Sequence, residues 1–359
     1  MGESTGISWA DRTKSAWHGC THAILDDGTQ HPGCAACYAE LGAGRNPGTL
    51  GVWGPEGTRV PSKSFEKDCR QWQKQAASEG TIFTVFPSIH DPFEDRQGLE
   101  GQRKEMFGVI DDCPDLLFLL LTKRPGNIRK MTPVKGPQLF CGENANSIVG
   151  LDRAYRHNVA LGTSISDQKT ANELVMKLVQ CGELTPLLFV SAEPLLGPID
   201  LTRIPNGVGE TYNALTAEVT IRRRGEEPHS FKTSDTKPIG WVIVGGESTA
   251  KARPCHPDWV RSLRNQSQRC GVAFHFKQFG EWLPISQIDG TEFDDFNGQS
   301  ISLRHDGAVF DRYEPHTFCC SNCKIEECLK VGKAKAGNLL DGIRYEEFPQ
   351  LILNRKSNV

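Results

Sequence analysis

Six short, almost wholly apolar segments recur along this chain, at residues 81–86, 115–121, 158–164, 187–191, 241–244 and 272–276. Their length and their Val, Ile, Leu and Phe content predict strands buried on both faces. Helical stretches are expected at 62–79, just before the first of these segments, and at 100–110, 167–180 and 257–269, between later ones. Strand–helix alternation of this kind implies parallel pairing with helices covering the sheet. About six or seven such units predict an α/β fold, a complete or partial (β/α) barrel with parallel strands. A doubly wound open sheet is the competing architecture. The expected organisation is a barrel core at 1–200 and 239–290, an inserted polar segment at 201–238, and a Cys-rich C-terminal extension at 291–359.

In either architecture the ligand site forms at the C-terminal ends of the strands. Those ends are where the polar residues fall: Ser88, His90 and Asp91, then Lys123 and Arg124, Ser164, Glu193, Gly245-Gly246-Glu247, and Lys277 with Gln278. An Asp-Pro turn or loop-closing surface charge would place the same residue types there without a ligand.

A second pattern precedes the first apolar segment. Cys20, Cys34 and Cys37 stand at C-x13-C-x2-C, with Tyr38 directly after the third. Three thiolates can hold three irons of a [4Fe–4S] cluster and leave the fourth iron open. The alternatives are a zinc site completed by His18, His22 or His31, or unrelated buried cysteines.

The stretch 7–40 resembles the opening of a phage- and bacteria-encoded, radical-SAM-like family with a three-cysteine motif. The resemblance rests on Ile7-Ser8-Trp9-Ala10, Trp17-His18-Gly19-Cys20 and Gly33-Cys34-Ala35-Ala36-Cys37-Tyr38-Ala39-Glu40. Further blocks follow in the family's order at 120–125, 191–199, 241–248, 252–254, 276–280 and 336–342. The Asn-Pro that usually follows the second Trp is absent.

The resemblance implies a radical-SAM-type barrel with a [4Fe–4S] cluster on Cys20, Cys34 and Cys37 and S-adenosylmethionine on the open iron. It implies a flavodoxin- or ferredoxin-type reductant. It places Ser88, His90 and Asp91 near the methionine amino group, and Lys123 or Arg124 near its carboxylate. Ser164 and Glu193 would meet adenosine hydroxyls, and Gly245, Gly246 and Glu247 the cofactor or substrate. Arg253, Lys277 and Gln278 would face the substrate, while Tyr38 packs on the cluster. The phage association implies modification of a nucleic-acid base, such as isomerisation or C–C bond chemistry in thymidine hypermodification. Repair of DNA lesions and modification of RNA or peptide are related alternatives. A zinc-dependent nucleic-acid-binding protein is the alternative of a different class.

Thirteen cysteines are many for a reducing compartment, where disulfides rarely persist. With no apolar run near 20 residues and no secretory leader, a cytoplasmic protein away from membranes is expected, in the host cytoplasm if phage-encoded. A net charge of −3 argues against broad affinity for duplex DNA. Cys319, Cys320, Cys323 and Cys328, with His316 just before, predict a zinc site or a second iron–sulfur cluster. Cys69, Cys113, Cys141, Cys181, Cys255 and Cys270 lack such spacing and read as small buried hydrophobes. In the insertion, 218–225 reads as one arm of a hairpin. Its Arg222-Arg223-Arg224 suit either phosphate contact or a solvated edge balanced by Glu226 and Glu227.

Overall fold

All six expected strands form, joined by one short strand that lacks an apolar signature. In the computed structural model, which describes residues 5–46, 48, 51–134, 154–288, 298–311 and 324–357, one seven-stranded sheet contains them all. Its strands are β1 (Arg12–Thr13), β2 (Phe83–Phe86), β3 (Leu116–Thr122), β4 (Val159–Ser164), β5 (Leu187–Ala192), β6 (Trp241–Gly245) and β7 (Ala273–Gln278). Spatial order follows chain order, every neighbouring pair is parallel, and β1 and β7 are the two edges. A doubly wound sheet would reverse its order at a switch point. This sheet instead curls in one direction as a half-barrel, the partial form of the expected fold.

The crossovers carry helices α1 (Tyr38–Arg45), α2 (Phe65–Glu79), α3 (Glu100–Asp111), α4 (Gln168–Val179) and α5 (Pro257–Arg269), with α6 (Gln350–Ser357) following the last strand. Asp167 starts α4 through a capping box with Thr170, and Gly80 ends α2 in the left-handed conformation.

Two-residue alternation sorts the strands into two faces. Phe118, Leu120, Leu161, Leu188, Val190, Val242, Val244, Phe274 and Phe276 pack outward against the helices. Leu117, Leu119, Ala160, Phe189, Trp241 and Ile243 fill the concave face, joined there by Trp9 from the N-terminal side and Ile352 of α6. The Phe189 ring lies over Gly162, where an added Cβ would come within 2.4 Å of it. That close approach explains a glycine inside a buried strand.

Between β5 and β6 lies the expected insertion. It is a four-stranded antiparallel sheet, Ile204–Gly207, Glu210–Asn213, Glu218–Ile221 and His229–Lys232. Ile204, Tyr212 and Val219 share one of its faces by register and join the main core. That face carries the core residues of the segment.

The C-terminal region is tied to the core at several points. Trp282–Pro284 pairs with Ile325–Lys330 in a second antiparallel sheet, and Phe348, Leu351 and Ile352 return to the concave core. The backbone of Tyr345 and Glu347 meanwhile bonds to β7 at Phe276 and Phe274. Among the described residues, no helix is long and apolar enough to cross a membrane.

Candidate metal centre at the strand ends

The cysteine-bearing loop leaves β1 and is fastened to the strand ends that the sequence marked as polar. His31 is fully buried. Its Nδ1 accepts from Gly33 N at 3.0 Å, which requires the proton on Nε2, and Nε2 donates to Ser164 O at 3.1 Å. Burial first, then the Lys123 charge, lowers its pKa to about 3, so the ring stays neutral. His31 thereby starts the short turn Pro32–Cys34. Cys37 directly precedes α1 as its N-cap residue, with no side-chain hydrogen bond to the helix. Tyr38, which is exposed, donates its hydroxyl to Ser88 O at 2.6 Å.

Three arginine–carboxylate pairs grip this loop. Arg124 bonds Asp91 at 2.7 Å and donates to Thr21 O at 2.6 Å. Arg59 forms a fork with Glu94, at 2.9 and 2.5 Å, and donates to Thr21 Oγ1 at 2.7 Å. Glu94 in turn accepts from Thr21 N at 2.9 Å, so every polar atom of Thr21 is used. Arg253 forms a fork with Glu247, at 2.9 and 2.7 Å, and donates to Pro32 O at 2.9 Å. Planar forks of this kind fix direction as well as distance.

These pairings occupy several of the residues expected at the ligand site. Asp91 also accepts from Thr122 Oγ1, Phe93 N and Lys123 N. Burial would raise its pKa, but Arg124 and these donors outweigh it and hold the carboxyl below the ordinary range. With its lone pairs committed, Asp91 orders the 122–124 turn and has little left for a ligand ammonium. Glu247 and Arg253, expected as ligand and substrate contacts, are committed to each other and to the cysteine loop. Gln278 belongs to the outward set of β7 and donates to Ser248 Oγ.

On the concave face the last layer is polar. Lys277 Nζ meets Glu193 at 2.8 Å, Trp9 Nε1 donates to Glu193 at 3.2 Å, and Ser164 Oγ donates to Glu193 O at 3.2 Å. The Glu193 carboxylate lies over Gly245, where a Cβ would come within 2.9 Å of it. At Gly246 an added Cβ would come within 1.9 Å of the Phe279 carbonyl oxygen. His90 packs on Trp17 at 4.1 Å between ring centroids, and neither of its ring nitrogens has a hydrogen-bond partner among the described residues. Burial lowers its pKa to about 3.

Cys34 is buried, Cys20 and Cys37 partly so. Burial, then the Asp91 charge, pushes the Cys20 thiol up to about 12. Burial likewise raises Cys37, against the pull of the Lys123 charge. The Cys34 sulfur acts electrostatically on both. Among the described residues, no three His, Cys, Asp or Glu side chains converge tightly enough for one metal ion. Ligands of a single zinc lie about 3.8 Å apart, given Zn–S bonds of about 2.3 Å. Cluster ligands each take a different iron and need more room. His31 is committed as described, and His22 bonds Gln30 and Glu40. Two of the three histidines weighed as a fourth zinc ligand, His22 and His31, are thus already engaged.

Lys123, between Cys37 and His31, has no ion pair or hydrogen bond from its ammonium group among the described residues. It also borders a cleft of about 820 Å³ beside the loop, lined by Thr21, His22, Arg96, Asn127 and Glu173 among others. Cys328 stands apart from this centre, wholly buried in Ile325–Lys330 near Cys255. Its expected co-ligands Cys319, Cys320 and Cys323, with His316, lie outside the described residues, as does Cys141. Cys69, Cys113, Cys181 and Cys255 are buried as expected, and Cys270 is partly so.

The Arg59–Glu94 pair and the role of His31 escaped sequence reasoning. Arg59 sits at the end of a Gly/Pro-rich stretch without periodicity, and nothing in the spacing links it to Glu94.

A parallel half-barrel with a cysteine loop fastened across its C-terminal strand ends defines the class of this molecule. The chain belongs to the family described as "Protein of unknown function (DUF5131)", whose model matches residues 4–349. Comparison with curated proteins finds no match, and comparison with solved structures finds none.

Proposed function

We propose that the chain is a radical S-adenosylmethionine enzyme whose Cys20, Cys34 and Cys37 each bind one iron of a [4Fe–4S] cluster, acting on a nucleic-acid base. The observation that carries this reading is the position of the three cysteines. They lie on one loop fastened across the strand ends of a parallel half-barrel, and two histidines that could complete a zinc site, His22 and His31, are engaged elsewhere. When reduced, such a cluster with S-adenosylmethionine on its open iron supplies a 5′-deoxyadenosyl radical.

The chain's own residues position and shield. The three arginine–carboxylate pairs hold Thr21 and Pro32, and with them the spacing between Cys20 and the Cys34–Cys37 turn. Lys123 offsets thiolate charge and offers its free ammonium to a carboxylate. Ser164 and the Glu193–Lys277 pair present polar groups on the concave face. Beneath them Trp9, Phe189 and Trp241 form an apolar floor that excludes water from that side. The base as substrate, and an isomerase or C–C bond-forming outcome, rest on the family resemblance.

The test is anaerobic purification, assay of iron, sulfide and zinc, then addition of reductant and S-adenosylmethionine. About four irons per chain are expected, with 5′-deoxyadenosine formed by the wild type and abolished in Cys34→Ala. Protein that takes up only zinc and yields no nucleoside after reconstitution overturns the proposal.

A further inference from the structure

The inserted sheet carries a surface that the strand-end site does not use. Register places Ile221 opposite His229 and Val219 opposite Phe231, so His229 and Phe231 stand on one face. That face is buried at Ile204, Tyr212 and Val219 but projects beyond the core at its last strand. Phe231 is 44% exposed, and His229 packs beside it with ring centroids 6.0 Å apart and planes 30° from parallel.

The turn joining these two strands begins with Arg222, Arg223 and Arg224, all exposed. Only Arg223 meets a carboxylate, Glu226, at 3.8 Å with both groups largely in solvent. Arg222 and Arg224 have no side-chain partner among the described residues. Arg222 N bonds Gly209 O at 2.8 Å, which brings the exposed Val208 alongside. Lys232 closes the strand, also exposed.

We infer that the hairpin 218–232 binds a single-stranded nucleic-acid segment. His229 and Phe231 would offer a stacking platform for a base, and Arg222, Arg224 and Lys232 would meet the flanking phosphates. Glu218, Glu226 and Glu227 keep the hairpin nearly neutral. A nearly neutral surface with an exposed ring pair suits a strand held by stacking, whereas a duplex hides its base faces and is held chiefly through phosphate charge. This inference deepens the proposed action on a nucleic-acid base and rests on it.

The experiment measures fluorescence anisotropy of a labelled 20-nucleotide oligo-dT, and of a duplex of equal length, with the full chain. Neither reductant nor S-adenosylmethionine is present. Binding of the single strand is expected to weaken roughly tenfold or more in Phe231→Ala. The Arg222→Ala/Arg223→Ala/Arg224→Ala variant should weaken it too, with a salt dependence shallower by about 1.4 for the two arginines at phosphates. Because these side chains are exposed, both variants should keep the wild-type thermal midpoint. Absent binding, equal binding by the variants, or preference for the duplex would overturn the inference. Binding as stated by a protein that forms no 5′-deoxyadenosine would refute the enzymatic reading alone. Nucleoside formation with unaltered binding in the variants would refute the hairpin assignment alone.

Discussion

Arg59 and Glu94 are the most deeply buried charges at the cysteine loop, with side chains 3% and 2% exposed. Replacing Arg59 by Met removes the fork to Glu94, the bond to Thr21 Oγ1, and bonds to the carbonyls of Val52, Gly54 and Gly57. The larger consequence is the Glu94 charge left without its partner. Breaking a buried pair from one side costs about 3–5 kcal/mol. The loss acts first on the segment the pair holds, Cys20-Thr21, whose opening should become easier by about 10²–10³-fold at 1.4 kcal/mol per factor of ten. The assay is site-resolved thiol alkylation, read by mass spectrometry on reduced protein stripped of metal by a chelator. Cys20 should label about 10²–10³-fold faster in Arg59→Met, while the buried Cys113 serves as internal control. Adding Glu94→Gln should restore much of the protection, because the double variant buries no unpaired charge. A Cys20 rate within threefold of wild type in Arg59→Met, or no recovery in the double variant, would refute the reasoning.

Asp91 gives a pH prediction. Its carboxyl is held below its ordinary value, so its pairing contributes stability above the unfolded value of about 3.9. That contribution is lost as pH falls through the lower folded value. Asp91→Asn should therefore cost about 3 kcal/mol at pH 7, with the gap to wild type closing below about pH 4 in urea titrations. For Lys123, replacement by Met should raise the KM for S-adenosylmethionine about tenfold, the worth of a charged hydrogen bond, with iron content and kcat retained. Loss of iron in that variant would instead assign Lys123 to holding the thiolates.

The strands were legible because burial on both faces writes continuous apolar runs, and Pro257–Arg269 was read to the residue. β1 was not, because two residues between a Trp-bearing segment and a loop carry no period. The C-terminal antiparallel sheet escaped for a related reason, since short strands with one solvated face look like polar loops. At the site, position along the chain found Asp91, Arg124, Glu193, Glu247 and Lys277 but not what each one holds. Asp91 and Arg124 lie 33 residues apart, and Arg253 and Pro32 lie 221 apart. Such pairings follow from curling the sheet, which brings distant strand ends together, and no local pattern encodes them.

The half-barrel leaves a seam between β7 and β1, and the chain sews it from both directions. Ser8 bonds His275 at 2.7 Å, Tyr345 and Glu347 bond the outer edge of β7, and Trp241 Nε1 reaches Glu347 O at 3.0 Å. During synthesis the early thread, Ile7 to Ala10, emerges long before its partners on β6 and β7 exist. The late thread leaves the ribosome after every barrel strand. Until it arrives, β7 presents an uncovered edge to other nascent chains, the kind of surface that invites strand addition between molecules. Slower docking of the segment 345–352 should therefore lower the yield of folded protein in the cell.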